Sequence, residues 1–390
     1  MTVTAPRGFA ASGIACGIKE SGETDLALIA TAACKPVPAA AVFTTNKAAA
    51  APVRVSKAHL EATGGMSTAV VLNSGNANAA TGMPGREHAW RTAQMVGHAL
   101  GADPHQVLVC STGLIGIPLP FPKIESGIAS LVEGLGGAEE DGHRAARAIM
   151  TTDTRPKEIV VEGAGFTVGG MAKGAAMLEP SMATMLAVLT TDAECSPEEL
   201  SAALVDAVES SFNQMVVDGS TSTNDTVIVL AGGASGTRAT RADLAEPLRH
   251  ACDRLAYQMA ADAEGGTKVA RITVTGAASI EDARRGARQV ASSLLVKCSL
   301  HGEDPYWGRI VSELGSAGIA FDIDRVAVSY GGVVVCAGGV AHSHDGQAVA
   351  AHLAGHDLEI VADLGIGSAT GSMYATDISH AYIDENVRTS

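Results

Sequence analysis

The sequence predicts an α+β protein, a layered α/β arrangement with mixed, partly antiparallel sheets. Three features carry that expectation. Short runs of aliphatic and β-branched residues are each bounded by Gly, Asn or Asp, as at 68–72, 107–110, 158–162 and 225–230. Stretches with helical periodicity lie between many of them. Around 158–191 and 325–336 strand follows strand with no helix between, so neighbouring strands there run antiparallel and a plain doubly wound sheet fits poorly.

The clearest helices are read at 86–100, 141–150, 197–212, 241–263 and 280–295. Ser196 precedes the third as its N-cap, with Glu198 and Glu199 in the first turn, where the exposed N–H groups favour acidic side chains. Ser279 caps the fifth in the same way. Further strands are expected at 269–275, 325–330, 333–336 and 358–364, and the Gly-rich segment 163–174 is expected to separate two strand-rich halves.

Composition narrows the function classes. The chain has 390 residues, 46% hydrophobic and 18% charged, enough for one large core or two. With 44 glycines and 3% aromatics, its interior is expected to be Ala, Val, Leu and Met between tight turns. A net charge of −15, with no basic cluster interleaved with aromatics, argues against a nucleic-acid partner. The opening residues lack a basic stretch followed by an apolar one, and no apolar run nears the roughly 20 residues of a membrane helix. A cytoplasmic protein without a membrane anchor is expected. The seven cysteines are odd in number and form no Cys-x-x-Cys pair, so they read as core residues rather than as disulfides or a zinc site.

The stretch KGAAMLEPSMATMLAVLTTDA, 173–193, holds the most informative threonine. Thr184 follows a Glu-Pro turn and small residues, and leads into the apolar run 185–189. A threonine at a strand edge ordinarily bonds its own backbone. Here Lys173 lies 11 positions upstream, where a hairpin brings it back beside the hydroxyl. A threonine becomes a nucleophile when a base takes its proton, and its own α-amine, freed by cleavage of the preceding bond, has a pKa of about 7.7–8.0, suited to that task. Ser181 is a rival nucleophile in the same turn.

Other motifs are weaker. The run 169–175 superficially resembles a phosphate loop but lacks the required Ser or Thr after Lys173. Residues 109–116 read as a strand entering a glycine turn, which either simply ends the strand or turns a backbone N–H and a hydroxyl toward one point, as in an oxyanion hole. The polar clusters at 72–78 and 213–225 either close turns or line a pocket for a small zwitterion. His342 with His344, and His352 with His356, have metal-like spacing but no further ligands, so no metal is expected. Glu264 is either a loop acid or a carboxylate presented to a substrate ammonium.

Taken together, Lys173-Gly174, MLEPSMATML at 177–186 and TTDA at 190–193 closely resemble the processing site of the ornithine acetyltransferase (glutamate N-acetyltransferase) family of arginine biosynthesis. The likeness continues in order along nearly the whole chain: NSGNAN at 73–78, STG at 111–113, MTTDT at 150–154, STND at 222–225, EGG at 264–266, HGEDPYWGR at 301–309 and YIDEN at 382–386.

The resemblance implies a self-processing, N-terminal-nucleophile-type enzyme. Its precursor is cleaved between Ala183 and Thr184 into fragments 1–183 and 184–390, which stay associated as a heterotetramer of two α and two β fragments. Thr184 then carries the acetyl group from N2-acetylornithine to L-glutamate in a ping-pong cycle, with no cofactor and with acetyl-CoA as a co-substrate in some members. Thr112 and Gly113 match the oxyanion hole. Thr151 or Thr152, Lys173, Thr184, Glu264, Asn386 and Ser390 match the substrate contacts. Two departures stand out: the end of the chain is one residue shorter than the usual pattern, leaving Thr389 or Ser390 as the contact, and Ala175-Ala176 replaces a more Gly- or Ser-rich pair.

Two other classes are compatible with the residues alone. A self-processing amidase or aminopeptidase would release the acyl group to water. An uncleaved amino-acid-binding protein would keep Thr184 as a structural residue.

Overall fold

The computed structural model describes residues 2–178 and 185–387. Ser181, Ala183, Thr184, Thr389 and Ser390 therefore lie outside the described residues. The chain divides into two compact units, Met1–Asn213 with Ser220–Met259, and Gln214–Gly219 with Ala260–Ser390.

In chain order the strands are β1 (Phe9–Ile14), β2 (Leu26–Thr31), β3 (Val37–Phe43), β4 (Met66–Ser67), β5 (Ala69–Asn73) and β6 (Val107–Ser111). Next come β7 (Lys157–Glu162), β8 (Thr167–Lys173), β9 (Leu186–Thr191), β10 (Met215–Val216) and β11 (Thr226–Ala231). The last six are β12 (Val269–Ala277), β13 (Ala327–Tyr330), β14 (Val333–Ala337), β15 (Val340–Ala341), β16 (Asp357–Asp363) and β17 (Ala369–Thr376).

The first unit contains two mixed sheets, ordered β1-β2-β5-β6 and β4-β3-β11-β9-β8-β7. Alternation along β2 explains why they stack. Ala27 and Ile29 point into a core shared with Val188, Ile228 and Leu230 of the other sheet. Leu26, Leu28 and Ala30 point the opposite way, against Ile124, Ile128 and Leu131 of the helix Phe121–Glu133. Both faces of the strand are buried, so it reads as a continuous apolar run rather than an alternating one. Each such Leu or Ile, fully removed from water, stabilises the fold by about 1.5–3 kcal/mol. Helices Pro197–Glu209 and Arg241–Ala260 cover the outer face of the six-stranded sheet, Leu255 of the latter reaching Gly170 of β8.

The second unit is a seven-stranded mixed sheet, β10-β17-β12-β16-β13-β14-β15. Its core joins Ile272, Val274 and Ile360 of the sheet to Ala287 and Val290 of the helix Ile280–Ser292 and to Leu314 of Trp307–Ser316. The expected α+β class with mixed, partly antiparallel sheets is what both units display, and β7-β8-β9 and β13-β14 are the antiparallel runs anticipated without helices.

Two local expectations need correction, the separating role of 163–174 and the length of the helix at 280–295. The segment 163–174 does not separate two halves: Gly163 starts a tight turn, its N–H donating to Phe166 O at 2.8 Å, and β8 pairs back on β7. Gly169 and Gly170 lie within β8, in ladder register with Val160 and Ile159, so they form no phosphate loop. A side chain at Gly169 would come within 2.5 Å of Thr2 O, and this close approach is why glycine stands there. The helix expected over 280–295 ends at Ser292, because Ser293 adopts an extended backbone and caps a second helix, Leu294–His301. The capping at Ser196 holds in full: its Oγ accepts from Glu199 N at 3.2 Å while Glu199 Oε2 accepts from Ser196 N at 2.9 Å.

Candidate active site

β8 and β9 form an antiparallel pair in which Lys173, the last residue of β8, stands opposite Leu186, the first of β9. The two strands thus pair antiparallel as a hairpin requires, while the Thr184 hydroxyl that the lysine is expected to approach lies outside the described residues. Lys173 is 3% exposed. Its Nζ donates to Thr151 Oγ1 at 2.7 Å and to Thr112 Oγ1 at 3.3 Å. Of the pair left open by the sequence, Thr151 is the one held at the lysine, while Thr152 is exposed.

A buried cation is tolerated only with compensation. Asp153 supplies it. Its Oδ1 accepts from Lys157 Nζ at 2.5 Å and from Gly174 N at 2.8 Å, and its Oδ2 accepts from Thr151 N at 2.9 Å and lies 3.9 Å from Lys173 Nζ. Burial by itself raises the pKa of this carboxyl, but Lys173 and Lys157 outweigh it and hold it well below the usual carboxylate range. Lys157, at the start of β7, is completely buried.

Thr112 and Gly113 follow β6. Thr112 N donates to Asn73 O at 2.9 Å, and its hydroxyl accepts from the lysine. An acceptor polarised by an ammonium group is a stronger donor through its own hydrogen. Gly113 has φ 129, and a Cβ there would sit 2.4 Å from Gly75 C, so only glycine fits the turn. Behind it, Asn224 Nδ2 donates to Ser111 O at 2.9 Å and to Ala77 O at 2.6 Å.

Asp225 is fully buried, and its Oδ1 accepts from Met185 N at 2.8 Å. Among the described residues its Oδ2 has no hydrogen-bond partner. Burial drives this carboxyl well above the ordinary range, against the opposing pull of the Met185 N–H, the nearby Ser222 hydroxyl and the Lys173 charge. Protonation is thereby favoured.

Glu264 and Asn386 belong to the second unit. Asn386 Nδ2 donates to Glu264 Oε2 at 2.8 Å and to Tyr382 O at 2.9 Å. Gly265 has φ 63, and a Cβ there would meet Tyr382 N at 2.2 Å, so this glycine lets the helix His380–Asn386 approach the glutamate. Glu264, Asp218, Lys297 and Tyr382 line a cavity of about 110 Å³ in that unit. The histidines with metal-like spacing make other bonds: His352 Nε2 accepts from Glu359 N at 2.9 Å, and His344 Nδ1 lies 2.7 Å from His342 O.

The structure thus brings Thr112, Thr151 and Lys173 together and leaves Gly113 beside them in the chain, with Asn386 on Glu264 in the other unit. Sequence reasoning missed Asp153, Lys157, Asn224 and Asp225 as members of this neighbourhood. The available signal was a charged residue, Asp153, inside the hydroxyl run 151–154, and the dense polar segment 222–225 beside a buried strand.

A buried ammonium bonded to hydroxyls, next to a turn restricted to glycine, suits an enzyme that stabilises a developing oxyanion in acyl transfer. The chain belongs to the ArgJ family, whose model matches residues 10–389. It is 48% identical to the arginine biosynthesis bifunctional protein ArgJ of Mycolicibacterium paratuberculosis over 98% of this chain and 95% of that one. It is 45% identical to the protein of the same name from Thermobifida fusca over 99% of both chains. Among solved structures it is similar to ornithine acetyltransferase complexed with ornithine from Mycobacterium tuberculosis, at 46% identity and a TM-score of 0.44, covering 46% of this chain and 94% of that chain. The arginine biosynthesis bifunctional protein from Bacillus halodurans matches at 33% identity and a TM-score of 0.49, covering 50% and 95%. No helix among the described residues is long and apolar enough to cross a membrane.

Proposed function

We propose that the chain transfers the acetyl group of N2-acetylornithine to L-glutamate through an acetyl ester of Thr184, after cleaving itself between Ala183 and Thr184. The observation that carries this reading is Lys173, buried and bonded to Thr112 and Thr151, opposite the first residue of the strand that Thr184 precedes by two positions. Full-length likeness to the ArgJ proteins supports it.

In the precursor the Thr184 hydroxyl attacks the Ala183 carbonyl carbon. The C–N bond breaks, the hydroxyl proton ends on the freed α-amine, and water hydrolyses the ester, leaving a carboxyl on Ala183 and restoring the hydroxyl. The α-amine then serves as base, taking the Oγ proton as Oγ attacks the acetyl carbonyl of N2-acetylornithine. Thr112 and Gly113 donate to the oxyanion, a role worth roughly 3–4 kcal/mol per donor in comparable sites. The proton passes to the departing nitrogen, ornithine leaves, and the glutamate amine reverses the steps. One amide is exchanged for another, so no cofactor or metal is needed.

Lys173 pairs with the α-carboxylate that both substrates share, a charge-assisted contact. Thr151 flanks it. Glu264 and Asn386, with a residue of the chain end, Thr389 or Ser390, are assigned to the substrates' amino-acid end on the family likeness. Acetyl-CoA is proposed as an alternative acetyl donor to the same threonine, the complex as two copies of each fragment, and the location as cytoplasmic.

Intact mass of matured protein tests the reading: it should give fragments divided between Ala183 and Thr184, whereas division before Ser181 or a single full-length species would overturn it. Thr184→Ala should stay full length and inactive. Release of free acetate from N2-acetylornithine at one rate with and without glutamate would move the enzyme to the hydrolases. Acetyl-CoA with glutamate alone reports the second donor.

A further inference from the structure

Asn224 and Asp225 are adjacent in the chain but reach in two directions. Asn224 Nδ2 bonds the carbonyls of Ser111 and Ala77, fixing the backbone that enters the Thr112–Gly113 turn. Asp225 Oδ1 bonds the amide of Met185, the nitrogen joined directly to the carbonyl of Thr184. These two strand ends come from different sheets, β6 from one and β9 from the other, and among the described residues no ladder connects them. The pair is itself braced: Thr223 Oγ1 donates to Asn224 Oδ1 at 2.6 Å and Asn224 N donates to Ser222 Oγ at 3.0 Å. Behind it, β11 pairs in parallel with β9, Thr226 opposite Leu186, so the clamp cannot shift along the strand without breaking that register.

We propose that Asn224 and Asp225 are positioning residues that set the distance between the oxyanion turn at Thr112–Gly113 and the nucleophile's end of β9. The inference rests on the proposed function. Neither side chain needs to touch substrate. Oxyanion donors act only where the charge develops, and misplacement of the reacting parts by about 1 Å costs about 100-fold in rate. Asp225 acts here as a hydrogen-bond acceptor for Met185, a role its neutral acid fills and an amide of the same shape fills as well; the low solvent exposure of the site favours that neutral form.

The test measures acetyl transfer with matured protein, with intact mass reporting cleavage and thermal unfolding reporting the fold. Asp225→Asn keeps an oxygen for the Met185 N–H and should retain kcat within about threefold, while Asp225→Ala should lose about 100-fold with KM little changed. Asn224→Ala should likewise lower kcat at constant KM, and in a Thr112→Ala background its effect should shrink, because both changes disable one turn. If a variant fails to mature, cleavage rate is scored by the same comparison. Equal loss in Asp225→Asn and Asp225→Ala, purely additive effects of Asn224→Ala and Thr112→Ala, or a change in KM alone would overturn the clamp. Thr184→Ala in the same assay separates the two ideas: turnover by that variant would sink the nucleophile assignment itself, whereas an inactive Thr184→Ala beside a failed rescue sinks only the clamp.

Discussion

Asp153 and Lys157 form a completely buried ion pair, Oδ1 to Nζ at 2.5 Å, and the same carboxylate stands 3.9 Å from Lys173 Nζ through its other oxygen. One anion therefore organises two lysines and two backbone amides, those of Thr151 and Gly174. Such a group holds a site in place through charge as well as shape. Removing it leaves buried cations behind, which is more costly than losing a contact between neutral groups.

Asp153→Ala should therefore destabilise the protein by about 3–5 kcal/mol, measured by urea or guanidinium unfolding. Asp153→Asn should recover part of the packing but not the charge. Stability of Asp153→Asn equal to that of the natural chain would show that the ion pair contributes nothing net.

The two buried carboxyls give opposite pH dependences. The folded pKa of Asp153 is depressed, so its stabilisation is present above the unfolded value of about 3.9 and is lost as pH falls toward its folded pKa. The folded pKa of Asp225 is raised, so its contribution is complete below about 3.9 and is lost as pH rises through the folded value. Asp225→Asn cannot ionise. Its stability relative to the natural chain should increase as pH climbs from about 4, as urea unfolding across that range will report. A constant difference would mean that Asp225 does not titrate upward in the folded protein.

Cleavage before Thr184 should not release the fragments. In the six-stranded sheet β4, β3, β8 and β7 precede that bond, while β11 and β9 follow it and lie between them. Separation would break the β3–β11 and β8–β9 ladders and expose Val188, Ile228 and Leu230. The two fragments should co-elute in size exclusion under native conditions and separate only in denaturant. Separation in plain buffer would contradict the sheet order.

Gly113→Ala combines a positive φ with a Cβ 2.4 Å from Gly75 C. A residue forced into such a conformation costs of order 1–3 kcal/mol, and the turn must shift to admit the methyl group. Acetyl transfer should fall about 100-fold or more while the fold persists, seen as a modest drop in unfolding midpoint beside a large drop in kcat. Full activity in Gly113→Ala would remove this turn from the oxyanion role.

The ladder elements were legible because their signals are local. The apolar run after Thr184 is β9, the 107–110 run is β6, and Ser196 with Glu199 caps a helix as written. Thr112, Thr151 and Lys173 were singled out by the family resemblance, and the structure brings these three side chains together. The break at Ser293 was missed because its side chain competes for the backbone N–H of Val296, a choice periodicity does not register.

By itself the sequence determined the α+β class, most strands and the glycine turns, all of them encoded in spacing along the chain, while the threonine on which the proposed chemistry depends is singled out by the family resemblance. Only the tertiary structure decided which polar groups work together. Asp153, in the loop before β7, meets Lys157 at the start of that strand, and Asn224 meets Ser111 across 113 positions. Lysines and aspartates are ordinarily solvated, so nothing local marks these as buried. What buries them is the stacking of two sheets, and once buried each must find a partner because water can no longer supply one.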